Sequence, residues 1–355
     1  MLDFFPPRPR GLKGRTGELA TLKRILADGV TRLALVGGGG SGKSMLAAAL
    51  GHHVAARFQG RIHWMRVGAW DVQTLLEMFA WRFRTLHDRH ERLGSLRAFF
   101  EREGPRLIVL DNHEDDRATA KLLDALNGTP VTFLITARRC LLGGVLIFPL
   151  TAPMVTGKRP AFPRVAALTH VLRFNPLALD IADGIVGSGH ATVRTLTRNL
   201  EERGVNGVRV IAHEDDLPEV ALLVDWAWER LGENSRRLLA VLAHVEGDHM
   251  DLVSLGKLSG VRQPARALTP LLTYRLVQEP LGGRYTLHAV VRYAIARRTT
   301  AAPGRLFEHY VGMLERDPSR VALEQTHLFT AMDHAHRTND LDAMLRIERL
   351  LSTLD

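Results

Sequence analysis

A chain of 355 residues with 46% apolar content is long enough for two or three domains with cores of their own. Its net charge of +9 is almost all arginine, 41 Arg against 6 Lys, and spreads along the chain beyond the PRPRGLKGR lead-in, so it reads as solvated surface rather than a nucleic-acid footprint. The sequence has no apolar run near the roughly 18 residues of a membrane helix, no secretory signal, and a single cysteine, Cys140, which excludes an intrachain disulfide and cysteine-based metal sites. A cytoplasmic protein without membrane attachment is the expectation.

In the first half, short apolar strands alternate with helical stretches, the pattern of a parallel α/β sheet. Strands are predicted over residues 32–36, 62–67, 107–110, 131–136 and 145–150, with helices over 44–57, 72–86 and 118–126. Each strand-to-strand connection is long enough for a crossover helix. Past Pro153 the strand signal stops, and TAPMVTGKRPAFP, with three prolines, reads as a linker. Residues 164–186 read as helix interrupted at Asn175 and Pro176. After VRVIAHEDDLPEV come three or four helices and then VQEPLGGRYTL, two short β segments around a Gly-Gly turn. That order suggests a winged helix. The last 55 residues are helical again, with Leu341, Met344, Leu345 and Leu351 at helical spacing.

The chemistry concentrates in the first half. GGGGSGKS fits G-x-x-x-x-G-K-[ST] between a predicted buried strand and a predicted helix, the context a phosphate-binding loop requires. Gly38, Gly39, Gly40, Ser41, Gly42, Lys43, Ser44 and Met45 are the nucleotide-binding candidates. Glycines let successive backbone N–H groups face one anion, and the helix N-terminus adds its positive end. Lys43 would reach the terminal phosphates and Ser44 would ligate Mg²⁺. Asp111, ending RLIVLD, is the candidate second Mg²⁺ ligand, while Asp115 and Asp116 could cap the next helix. Asn112 follows where a hydrolase usually has a second acid. An amide accepts no proton from water, so slow turnover is expected, with Glu114 the nearest substitute base. Arg138, after the strand VTFLIT, is a candidate γ-phosphate sensor. His52, His53, His87 and His90 lack acids at ligand spacing and read as non-metal.

In this order the motifs resemble the STAND signalling NTPases, more narrowly the NB-ARC or AP-ATPase type of bacterial regulators. GLKGRTGELATLKRIL is similar to that family's lead-in, which implies that Arg15 lies near the adenine. Thr136-Ala137-Arg138 stands in the place of the sensor motif, and FNPLALDIADGIV resembles the stretch whose proline packs on adenine, implying Pro176. YTLHAVVRYAIARR is similar to the Met-His-Asp signature; His288 then touches the β-phosphate of ADP, and Ala289 replaces the aspartate. The Thr151–Leu172 region is short for the family's lid, where Lys158 and Arg159 are candidate contacts. The resemblance implies an α/β P-loop NTPase over residues 1–153, a helical lid over 154–215, a winged helix over 216–300 and a repeat-like helical segment over 301–355. It also implies an ATP/ADP switch with Mg²⁺, ADP-closed and ATP-open, that forms homo-oligomers when open and answers to a protein effector or sensor. A DNA-binding regulator using the winged helix, with Arg262 and Arg266 on its recognition-like helix, is the competing reading. An AAA+ machine is disfavoured by Asn112.

Overall fold

The computed structural model describes residues 5–6, 8–9, 15–68, 70–83, 85, 92–151, 162–203, 217–245, 249–300 and 303–352. Lys158, Arg159, His87 and His90, together with most of the GLKGR lead-in, lie outside the described residues. The first elements are α1 (Thr16–Ala27), β1 (Arg32–Val36), α2 (Lys43–Val54), β2 (Ile62–Arg66), α3 (Val72–Arg82), α4 (Arg92–Glu103), β3 (Arg106–His113), α5 (Asp116–Ala125), β4 (Val131–Ala137) and β5 (Leu146–Pro149). Next come α6 (Pro176–Gly187), α7 (Val193–Glu202), α8 (Pro218–Arg230), α9 (Glu233–His244), β6 (Met250–Asp251), α10 (Leu252–Ser259), α11 (Pro264–Thr273), β7 (Val277–Leu281), β8 (Arg284–Leu287) and α12 (Ala289–Ala296). The last are α13 (Pro303–Arg316), α14 (Val321–Thr338) and α15 (Leu341–Ser352).

The chain divides into two units. One comprises Met1–Gly37, Lys43–Leu150 and Phe307–Asp355; the other comprises Gly38–Gly42 and Thr151–Leu306. In the first, five parallel strands run in the order β2-β3-β4-β1-β5. Strand period and burial explain why β3 is apolar from Leu107 to Leu110. Leu107 and Val109 join a core with Leu22, Leu46 and Leu50 of α1 and α2, while Ile108 and Leu110 join the opposite core with Phe79, Phe100 and Leu122 of α3, α4 and α5. Both faces are therefore covered by helices.

The second core is completed from the far end of the sequence. Phe329, Met332 and Ile347 of α14 and α15 belong to the same cluster as α3. Phe329 sets its ring 5.5 Å from Trp81 and 6.1 Å from Trp70. Asp333 Oδ1 accepts the Asp71 amide at 3.2 Å, and His336 Nδ1 lies 3.0 Å from Thr74 Oγ1. Asp71 is itself the N-cap of α3, so the C-terminal helices grip the helix at its start.

In the second unit, α9, β6, α10, α11, β7 and β8 follow one another, with a three-stranded sheet β6-β8-β7. Pro176 does not interrupt a helix, as the sequence suggested, but opens one. Its fixed φ and missing N–H suit the first helical position, and Asn175 caps α6 by accepting from the amides of Leu177 and Ala178. Gly184 brings α6 against the end of α11, where an added Cβ would lie 2.7 Å from Thr273 O.

Candidate functional site

β1 ends at Val36 and the chain enters α2 at Lys43 after one short glycine-rich loop. Gly40 and Gly42 have φ of +74° and +85°, a region where a Cβ would clash, so the curl of this loop depends on glycine there. Lys43 Nζ donates to Gly37 O at 2.7 Å, and Gly37 N donates to Ala137 O of β4 at 3.2 Å. The base of the loop is thus tied to the sheet, while α2 begins directly after its crown. A helix N-terminus beside a lysine is a place where negative charge is favoured.

Ser44, one residue into α2, donates its hydroxyl to Asp111 Oδ1 at 2.7 Å, and Thr136 Oγ1 donates to the same oxygen at 2.6 Å. The topology makes this convergence possible. β4 lies between β3 and β1, so Thr136 sits beside Asp111, and the turn into α2 delivers Ser44 from the far side. The result is a buried carboxylate, 8% exposed, with two hydroxyls upon it. Carboxylate and hydroxyl oxygens are the hard donors that suit Mg²⁺. Arg138 follows β4 directly and is half-buried at this end of the sheet.

The acids after Asp111 each have a separate place. Asn112 is left-handed, φ +59°, at a register shift between Leu110 and His113. Its amide N–H donates to Thr136 Oγ1 at 3.0 Å and its carboxamide to Glu114 Oε1 at 2.8 Å. His113 is buried, with Nε2 2.8 Å from Asp116 Oδ1 and Nδ1 3.0 Å from Thr119 Oγ1. Asp115 caps α5 by accepting from Ala118 N at 3.0 Å. Asp116 Oδ2 also accepts Leu141 N at 3.2 Å, which ties down the loop that follows Arg138. Glu114 is exposed, and its backbone N–H bonds Gly68 O at 3.1 Å. The other sequence candidates of this unit are Arg15, buried and paired with Glu18 at 2.8 Å, and Met45, 42% exposed in the first turn of α2.

The second unit holds the loop crown, Gly38–Gly42, together with Pro176 and His288. A Cβ on Gly40 would come within 3.7 Å of Asn175 Oδ1 and Leu177 Cβ, and one on Gly39 would collide with Val290 Cγ2. His288 is the N-cap of α12, its Nδ1 accepting Val290 N at 3.3 Å. Asn175 Nδ2 donates to Glu219 Oε1 at 3.2 Å, and Glu219 is 3% exposed. Glu219 and Val290 carried no sequence signal beyond an acid early in a helix and an apolar residue on one.

A glycine loop feeding a helix, a buried acid two strands away in the sheet and a covered parallel sheet define a P-loop NTPase. No protein-family model matches the sequence, and no curated protein does. Among solved structures, the chain is similar to a Signal Transduction ATPase with Numerous Domains that carries a tetratricopeptide repeat sensor, from Pyrococcus horikoshii. The two share 17% identity with a TM-score of 0.57 over 98% of this chain and 53% of that one. This protein therefore has the fold of a STAND-type P-loop NTPase and spans about half the length of that relative in structure. Cdc6p from Pyrobaculum aerophilum (15% identity, TM-score 0.37, 83% of this chain and 98% of that one) and Orc1 from Aeropyrum pernix in complex with DNA (15%, 0.35, 81% and 94%) overlay too loosely to define it.

Proposed function

We propose that this chain is an ATP/ADP-binding switch with slow ATP hydrolysis, its closed form held by ADP and its open form favoured by ATP. The observation that carries the reading is the convergence of Ser44 and Thr136 on Asp111 beside the glycine loop. Ser44 and Asp111 would hold Mg²⁺, which supplies neutralising charge to the terminal phosphates. Lys43 and the crown amides bind and orient those phosphates, and Arg138 reads the γ-phosphate. Asn112 takes no proton from water, which leaves the exposed Glu114 as the base and makes turnover slow.

The switch rests on differential affinity. A ligand that binds one form about a hundredfold more tightly shifts the equilibrium by about 2.7 kcal/mol. Support comes from the second unit, where the residues around Pro176 and the start of α12 lie at the crown of the phosphate loop. In this reading Pro176 packs on the adenine, Arg15 contributes nearby, and His288 touches the β-phosphate of ADP. The lid over residues 154–215 and the winged helix over 216–300 close on the nucleotide, and opening exposes surfaces for homo-oligomers or a sensor partner. The DNA-reading alternative is not favoured, because α11 buries Ala267, Leu268 and Leu271, and Arg275 just beyond it pairs with Asp183 at 2.8 Å. Denaturing the purified protein and identifying the released nucleotide tests the proposal. Bound ADP is the expected result, and the absence of any purine nucleotide, with no uptake of added ATP or ADP, would overturn it.

A further inference from the structure

Asn112 carries more of the site's geometry than an absent base would. It is the only described residue between the metal-type acid and His113, and it is the point where β3 shifts register against β4. Its φ of +59° lies in the left-handed region, which asparagine tolerates and β-branched residues resist. That conformation aims its N–H at Thr136 Oγ1, 3.0 Å away. A hydroxyl that accepts one hydrogen bond directs its own proton elsewhere, and Thr136 donates to Asp111 Oδ1 at 2.6 Å. The same oxygen receives Ser44 at 2.7 Å. A chain of two hydrogen bonds thus runs from the Asn112 backbone to the carboxylate, with Ser44 arriving separately on the same oxygen. Meanwhile the Asn112 carboxamide faces Glu114.

We propose that Asn112 is a positioning residue, held in a left-handed backbone, whose N–H orients Thr136 and through it fixes the Asp111 carboxylate for Mg²⁺. Its side chain points to Glu114, so an acid placed at this position does not become the missing base. The inference rests on the Mg·ATP-binding reading above. It is specific to the backbone, which separates it from any account in which the carboxamide itself does the chemistry.

The test is the Mg²⁺ concentration that half-saturates binding of a fluorescent ATP analogue to the whole chain, for Asn112→Gly, Asn112→Val, Thr136→Val and the Asn112→Val/Thr136→Val double variant. Glycine keeps both the left-handed backbone and the N–H, so it loses less than valine by about tenfold. Thr136→Val, which removes the hydroxyl without touching the backbone, raises the midpoint about as much as Asn112→Val. The double variant is no worse than either single one, because both break one chain. Recovery of binding at high Mg²⁺ shows that the variants are folded. Equal losses for glycine and valine, or a double variant near a hundredfold, overturn the inference. Failure of the unsubstituted chain to bind the analogue at any Mg²⁺ concentration overturns the nucleotide reading itself and the inference with it.

Discussion

At the scale of single residues, buried polar atoms decide the local structure. The Asn175 carbonyl oxygen caps α6 through two amides, and its amide group satisfies one oxygen of the buried Glu219. Asn175→Ala removes a cap worth about 0.5–2 kcal/mol. It also strands a buried carboxylate at a cost of about 1–3 kcal/mol. A loss of about 2–3 kcal/mol in urea unfolding is expected; a change below about 0.5 kcal/mol would show that the pair contributes nothing. Burial pushes the Asp333 carboxyl above the ordinary aspartate value of 3.8, with the Asp71 amide and Arg337 opposing the shift. A group whose folded pKa is raised adds stability fully present below its unfolded value, and that stability is lost as pH rises through the folded value. Wild type should therefore lose stability relative to Asp333→Asn as pH increases from about 4 toward neutrality. Melting temperatures of the two proteins that run parallel over that range would refute this.

Elements meet where small residues allow them to. The crown of the phosphate loop and the start of α12 approach at Gly39, where any Cβ collides with Val290 Cγ2. Gly39→Ala should hasten ADP release, since overpacking at such a contact costs about 1–3 kcal/mol. Val290→Ala on the same background should restore much of the retention. Release rates that Val290→Ala leaves unimproved would mean that the loop itself, rather than the contact, was damaged. The β7–β8 hairpin was legible from the Gly-Gly turn between two short β segments. The role of Pro176 was less so, because a proline reads equally as a helix breaker and as a helix start until the cap beside it is seen.

For the whole molecule, segments far apart in sequence share one core. Phe329 is fully buried against Trp70 and Trp81, more than two hundred positions away in sequence. Phe329→Ala should cost about 3–5 kcal/mol in denaturant unfolding. A cost near zero would show that α14 adds nothing to the stability of the sheet's helical cover. The spacing of Leu341, Met344, Leu345 and Leu351 predicts a helix with one apolar face, and the family resemblance a repeat, because spacing reports which face is apolar but not what covers it.

The sequence by itself determined the strands of the parallel sheet, the loop that curls into α2, and the acid that follows the apolar run of β3. Each follows from local rules: apolar runs for buried strands, glycine where φ must be positive, and a helix N-terminus where an anion binds. The tertiary structure alone decided the rest. It set Thr136 between Asn112 and Asp111, gave the acids after Asp111 their separate roles as cap, anchor and surface group, and brought the C-terminal helices onto α3. Those outcomes depend on strand order and register, which place residues from distant positions side by side. No periodicity in a single stretch encodes a neighbour that arrives from another strand.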